Sequence, residues 1–130
     1  MMDDSKAKKL LQEIKDIYTA SQFTDLEKLV PAMSRLRERI KEIENPLVVK
    51  TIRLAYEHLE EYKDFLINYV EAEEVGGLNN FEYLLSLWAD PMNKYNREDL
   101  QVFKEIMLIY PDPLPVPVEE EEEEKNERIE

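Results

Sequence analysis

Apolar residues recur along much of the chain at spacings of three and four, the period of one face of an α-helix. The first such stripe consists of Leu10, Leu11, Ile14, Ile17 and Tyr18. It predicts a helix that begins near Asp3 or Asp4 and fades around Ala20 and Ser21.

A second helix is predicted from a start signal and a further stripe. Thr24 and Glu27 have the spacing of a capping box, in which the hydroxyl and the carboxylate each accept a backbone N–H at the helix start. Pro31 follows two turns later and cannot donate to the helical ladder, so we expect a kink or a short break there. The stripe continues through Met33, Leu36, Ile40 and Ile43.

The third helix is predicted to be the longest, over residues 46–74. Asn45 can cap it, and Pro46 suits its first helical position. Its seam alternates spacings of four and three through Val48, Ile52, Ala55, Leu59, Tyr62, Leu66 and Tyr69. Such heptad seams are typical of helices that pack nearly parallel, within one chain or between chains. Gly76 and Gly77 are predicted to end the helix.

Two shorter helices complete the pattern. Asn79 or Asn80 can cap the first, which carries Phe81, Leu84, Leu85 and Trp88. It should stop at Asp90, because the residue before a proline disfavours the α conformation. Asn96, with Asp99 three residues on, is predicted to cap the second. That helix carries Leu100, Phe103, Ile106, Met107 and Tyr110.

Composition supports the same fold class, an all-α bundle of four to five helices over residues 1–110. The chain of 130 residues has only two glycines, which are adjacent, whereas a β-rich fold of this length needs many glycine-bearing turns. It has no cysteine, so it has neither disulfides nor a thiolate metal site, which suits a reducing compartment. No apolar run is long enough to cross a membrane. We therefore expect a cytoplasmic protein that does not interact with membranes.

The character of the chain changes after residue 110. Proline alternates with other residues over Pro111–Val118, which predicts an extended, polyproline-like strut. Residues 119–130, here named the acidic segment, are predicted to be disordered, because like charges repel. They open with six consecutive glutamates: Glu119, Glu120, Glu121, Glu122, Glu123 and Glu124.

Charge is distributed unevenly along the chain. The net charge is −13, yet residues 28–53 hold seven Lys or Arg against three Glu. The acidic segment holds eight Glu against one Lys and one Arg. It can serve only for solubility, or it can imitate nucleic acid and reach a basic groove on a partner or on this chain. A stiff spacer before it favours the second interpretation.

The basic stretch also has two interpretations. Arg35 and Arg39 lie one turn apart on one helix face, and Arg37 and Lys41 form a second such pair. They predict a partner-binding patch for phosphate or acidic groups, or a solvated face that nearby glutamates partly neutralise.

A second candidate contact is the loop predicted over residues 90–97, which presents Met92 and Tyr95 outside any stripe. These two side chains suit docking of a protein, although simple loop packing is an alternative.

The sequence offers few residues that could carry out catalysis or bind a metal ion. His58 is the single histidine, and although Glu61 lies one turn on, no second His or Cys offers a further ligand. There is no nucleophilic cysteine, no glycine-rich phosphate loop and no nucleophile elbow. We therefore predict neither an enzyme nor a bound metal or other cofactor.

Two resemblances give these features a context. The helical order and the acidic run Glu119–Glu124 after Pro111–Val118 resemble the small accessory subunits of archaeal B-family DNA polymerase holoenzymes. In that group an acidic tail is thought to restrain strand displacement. Residues 45–110 are also similar to the helical domain of GINS replication-complex subunits, although Glu71, Glu73 and Glu74 replace the basic residues found there late in the long helix. The small β-domain of that family has no counterpart either.

The resemblances imply a non-catalytic accessory subunit of a DNA-processing complex, with a DNA polymerase as the expected partner. The bundle would dock and the acidic segment would modulate activity, with nucleic acid contacted weakly or indirectly. One alternative is a viral or structural protein that self-associates or inhibits a nucleic-acid enzyme by DNA mimicry. Another is a homo-oligomer assembled through the heptad seam.

Overall fold

The computed structural model describes residues 4–43 and 45–112, and these fold as five packed α-helices without a β-strand. The helices are α1 Ser5–Ser21, α2 Leu26–Glu42, α3 Pro46–Tyr62, α4 Asn80–Ala89 and α5 Lys94–Ile109. One short 3-10 turn, Ala72–Glu74, lies between α3 and α4. The predicted all-α bundle is confirmed. The strut beyond Asp112 and the acidic segment lie outside the described residues.

Most residues of the predicted stripes join one continuous core, whereas Ile43 and Leu66 are exposed. α2 packs against α1 and α3, α5 packs against α3 and α4, and α4 also contacts α1. The largest fully buried side chains include Trp88, Phe81 and Phe103. The seam residues Val48, Ile52, Ala55 and Leu59 are buried within this single chain. The seam thus serves the internal packing of α3.

Three of the predicted helix starts are confirmed. The Asp4 side chain accepts the Ala7 N–H (2.8 Å) and caps α1. The Asn45 side chain accepts the Val48 N–H, and Pro46 occupies the first turn of α3. Asn79 forms a complete capping box with Glu82 at the start of α4. Each of these caps is local in sequence, which is why the pattern was sufficient to find it.

The capping box predicted for α2 is wrong, and of the kink or short break expected at Pro31 the break does not occur. Asp25 rather than Thr24 precedes the helix, and the Thr24 hydroxyl donates instead to the Ser21 carbonyl oxygen (2.6 Å). No capping box forms, because the chain uses this threonine to close the turn after α1. The helix also runs unbroken through Pro31, so the expected break is absent. The side chains around it hold the helix together, with Leu29, Ala32 and Met33 all buried.

The predicted long helix over 46–74 is wrong beyond Tyr62. Lys63 adopts the left-handed conformation (φ 61°, ψ 21°) and ends α3, and its N–H still bonds to the Leu59 carbonyl. Residues 65–71 then run without regular structure. Gly76 and Gly77, at φ 71° and 86°, shape the turn toward α4 rather than a helix end.

The start of α5 differs from the prediction by three residues. Asn93 caps it by accepting the Tyr95 and Asn96 N–H groups. The predicted cap Asn96 instead donates its amide to the Asp90 carbonyl oxygen (2.9 Å). The loop predicted over 90–97 is therefore shorter, and Tyr95 belongs to the first turn of α5.

Candidate functional site

The main candidate surface is a groove between the second half of α2 and the first half of α3. Seven of the described residues line it, and none of these seven is acidic: Arg37, Lys41, Asn45, Pro46, Val49, Lys50 and Arg53. We name it the basic groove; it encloses about 590 Å³. The tight Asn45–Pro46 connection makes α2 and α3 antiparallel neighbours, which brings two cations from each helix to the same groove.

The predicted pair Arg35 and Arg39 lies outside the basic groove. Arg35 bonds to Glu13 of α1 at 2.8 Å and is half exposed. Arg39 makes two hydrogen bonds to Asp4 (3.1 and 2.6 Å) and one to Glu42 (2.7 Å). Both arginines are thus engaged by carboxylates of the same chain.

The contact between Arg39 and Asp4 has an electrostatic signature. The hydrogen bonds from Arg39, with that from the Ala7 N–H, lower the pKa of Asp4 to about 2. The same contact, with Glu42, raises the pKa of the Arg39 guanidinium. A carboxylate that also caps α1 is thereby kept ionised, so Arg39 ties the start of α1 to the last turn of α2.

Sequence reasoning identified Arg37 and Lys41 but missed that Lys50 and Arg53 join them. Residues 28–53 read as one basic stretch, yet the sequence pattern did not say which cations share a surface. The available signal was the tight α2–α3 connection together with the helical period. Lys50 and Arg53 are three residues apart on α3, which places them on the same side of that helix.

The second predicted contact, Met92 and Tyr95, lies at the start of α5. Met92 is 59% exposed and Tyr95 is 72% exposed. The Asn45 side-chain amide contacts the Met92 sulfur at 3.8 Å. A shallow cleft lined by Leu47, Met92, Lys94, Arg97, Glu98 and Gln101 opens beside it, with a volume of about 400 Å³. The structure therefore brings an exposed methionine and an exposed aromatic ring to one end of the bundle.

His58 has a structural environment. It is 6% exposed, and its Nε2 accepts the Leu66 N–H at 3.0 Å. The rings of Tyr62, Phe65 and Tyr110 surround it at centroid distances of 4.7–5.6 Å. Burial lowers the pKa of His58, so the neutral imidazole is favoured. The described part of the chain contains no group of three or more His, Cys, Asp or Glu that could hold a metal ion.

Asp99 forms a further polar cluster that the sequence did not reveal. Its two carboxylate oxygens accept the hydroxyls of Tyr69 (2.9 Å) and Tyr83. Burial, reinforced by these hydrogen bonds, raises the pKa of Tyr69 to about 12 and also raises that of Tyr83. The cluster ties the segment after α3 to α4 and α5.

In comparisons with known proteins, no protein family, no curated protein and no solved structure matches this chain. None of the helices in the described ranges is long and apolar enough to cross a membrane.

Proposed function

We propose that this chain is a non-catalytic accessory subunit of a DNA-processing complex, with a DNA polymerase as its partner. The helical bundle docks on the enzyme, and the acidic segment competes with DNA for a basic channel. One observation carries the proposal, namely the separation of charge between the acidic segment and a bundle with a basic groove. The resemblance to acidic-tailed polymerase subunits supports the same interpretation.

The surface at the start of α5 supports docking. Met92 and Tyr95 are two of the few large apolar side chains that the described residues leave exposed. Aromatic residues and methionine are enriched at protein interfaces, where they fill pockets on the partner. The adjoining cleft adds polar groups from Lys94 and Gln101 at its rim.

The acidic segment supports the modulating role. A run of carboxylates presents charge at a density that competes with phosphates for Lys and Arg. Tethering through a proline-rich spacer holds such a run near its target at an effective concentration on the order of millimolar. Competition of this kind weakens as salt is raised.

Affinity capture from native cell extract tests the proposal, using the full chain against a chain that ends at Val118. Both forms should retain the same polymerase or other DNA-processing enzyme, and only the full chain should change its activity. Retention of no specific enzyme, or retention of many basic proteins by the full chain alone, contradicts the proposal.

Variants at α5 test the docking surface. Met92→Ser combined with Tyr95→Ser should abolish capture, because it removes both apolar contacts without touching the core. Leu108→Ser is the matched control, since Leu108 is 52% exposed elsewhere on α5. Equal loss in the two variants would show that capture does not depend on this end of the bundle.

The inhibitor alternative differs in one measurable respect. A free DNA mimic should work in trans, so a peptide of residues 119–130 alone should inhibit the enzyme. In an accessory subunit the same peptide should have little effect, because its action depends on tethering.

A further inference from the structure

The basic groove has cationic capacity that the described residues use only partly. Arg37 and Lys41 contact Glu38 (3.1 and 3.6 Å), and Arg53 contacts Glu57 (3.1 Å). Lys50 has no ion pair within the part of the chain that the structure describes. The two glutamates are at least half exposed, and ion pairs of that kind contribute little and exchange readily. Four cations are therefore open to a stronger anionic ligand.

The chemistry of the groove lining also suits the binding of carboxylates. Its lining combines two guanidinium groups, which bind carboxylates bidentately, with the apolar surfaces of Pro46 and Val49. The Nε of Arg37 is buried and has no hydrogen-bond partner among the described residues. The first turn of α3 adds the positive end of a helix dipole beside Asn45.

The chain leaves the bundle at the end of α5, beside the far end of the helix α3 that lines the groove. Tyr110 packs on His58 and Tyr62, near the end of α3, at centroid distances of 4.9 and 5.1 Å. Lys50 lies eight residues before His58, which is about 12 Å along the helix at 1.5 Å per residue. A path around α3 adds roughly its diameter of about 10 Å.

The intervening chain is long enough for this path. Eight residues lie between Tyr110 and Glu119, and the nine residue steps span about 28 Å in a polyproline-like conformation, at about 3.1 Å per residue. The six consecutive glutamates extend this reach further. Distance therefore permits Glu119–Glu124 to lie along the basic groove of the same molecule.

We propose that the acidic segment of this chain docks in the basic groove through its glutamates Glu119–Glu124. Up to six carboxylates meet four cations, and the tether keeps them at a local concentration that a free anion must exceed. Docking covers the cations that would otherwise contact phosphate, so a partner or a polyanion must displace the segment to reach them. This inference concerns the isolated protein and does not rest on the proposed function.

Paramagnetic labelling tests the contact directly, because the chain has no native cysteine. A nitroxide on Glu127→Cys should broaden the backbone amide signals of the basic groove, residues 37–53, in the full chain. High salt should reverse the broadening, because it screens the charges. Absence of broadening at the groove, or equal broadening over the whole surface, overturns the proposal.

Two controls make the result specific. Lys41→Gln combined with Lys50→Gln should remove the broadening, whereas Lys8→Gln combined with Lys9→Gln, an equal charge change on exposed positions of α1, should preserve it. Unchanged spectral dispersion verifies that each variant is folded. Equal effects of the two pairs overturn the proposal in favour of a general charge effect.

A mixing experiment separates one molecule from two. Chain that carries the nitroxide at natural isotope abundance is mixed with isotope-enriched chain that carries no nitroxide. Only contacts between molecules then broaden the observed signals. We expect none at dilute concentration, and groove broadening in the mixture as strong as in the labelled chain would assign the contact to a second copy. Failure here leaves the enzyme-capture test untouched, and failed capture leaves this contact untouched.

Discussion

The α2–α3 pair and the segment that follows it, residues 63–79, belong to one core but are held by different interactions. The pair is joined by apolar side chains that are almost fully buried: Leu36, Ile40, Val48, Ile52 and Leu59. In residues 63–79 only Ile67 is buried.

Hydrogen bonds hold the segment instead. The Leu66 N–H donates to His58, and the Tyr69 and Val70 N–H groups donate to the Asn80 side-chain oxygen (2.8 and 2.9 Å). Tyr69 is fixed again through its hydroxyl on Asp99. Regular helices satisfy their own backbone, whereas an irregular segment depends on particular side chains elsewhere. The two regions should therefore respond differently to substitution.

Truncation in the apolar pair should have the largest effect. Ile52→Ala is expected to lower the free energy of unfolding by about 2–5 kcal/mol, because it opens a cavity in a fully buried interface. Denaturant unfolding would measure it. Ile43→Ala is the control, since Ile43 is 41% exposed at the end of α2. Similar losses in both variants would contradict the assignment of the core.

Removal of the shared carboxylate should rank next. Asp99→Asn is expected to destabilise by about 1.5–3 kcal/mol, because two hydroxyls lose a charged acceptor. The pKa of Tyr69 should fall from about 12, although burial, the larger cause, keeps it above its usual value. A tyrosine absorbance titration would measure this shift. Exposed Glu98→Gln should change the titration far less.

The sign of the tyrosine effect with pH follows from the raised pKa. The protonated phenol is favoured in the folded state, so its contribution is complete below pH 10.0, the ordinary tyrosine pKa. It is lost as the pH rises from that value to about 12. In Asp99→Asn this loss should begin at the same pH and be smaller.

A local opening should follow substitution of Asn80. Asn80→Ala is expected to cost about 1 kcal/mol, because water can replace neutral hydrogen bonds in a partly exposed segment. Amide hydrogen exchange should quicken at Tyr69 and Val70 and stay unchanged in the middle of α2 and α3. Uniform acceleration over all helices would contradict separate anchoring of the segment.

Acid should loosen the same segment through His58. Because burial lowers the pKa of His58 in the folded state, its contribution to stability is complete above pH 6.5 and declines below it. Glu61 and Asp64 oppose the shift, and the rings of Tyr62 and Tyr110 pack against the imidazole. His58→Gln keeps an acceptor for Leu66 and should flatten this decline. If stability declined with acid in the same way in His58→Gln and in the unchanged protein, the role of His58 would be contradicted.

The smallest effect is expected at Thr24. Thr24→Ala should change stability by no more than about 0.5 kcal/mol, because the hydroxyl only closes a turn. Asn79→Ala should cost about 1 kcal/mol, because it removes a complete capping box. Thermal unfolding of both variants would compare them, and a larger loss at Thr24 would restore the predicted cap.

Local signals account for what the sequence predicted well. Asp4, Asn45 and Asn79 act on backbone groups two or three residues away, so their role is visible in a short window. The apolar stripes also identified most of the core, although they included the exposed Ile43 and Leu66 and missed Leu29 and Leu87. The end of α3 was missed because Phe65, Ile67 and Tyr69 still contribute to the core after the helix has stopped. Beyond the helix, backbone N–H groups of residues 66, 69 and 70 donate to the side chains of His58 and Asn80, and no periodicity encodes such pairing.

The candidate surfaces were predictable only in part. Sequence located the basic stretch, Met92 and Tyr95, because composition and exposure follow from simple patterning. It misjudged which cations act together, since Arg39 turned out to bind Asp4, thirty-five residues earlier. Pairing of distant charges depends on how the helices pack.

Three of the five helices within residues 4–112 begin at the same end of the bundle. Arg39 brings the start of α1 to the last turn of α2, and the contact between Asn45 and Met92 brings the starts of α3 and α5 together. The ends of α2 and α4 also lie there, so two helix dipoles oppose three, and the net positive end lies beside Lys41 in the last turn of α2. The folded domain is therefore electrically polarised along its length. The field of a polyanion in solution would orient the domain so that its positive end approaches first. This orientation would weaken as salt is added, because salt screens the charges.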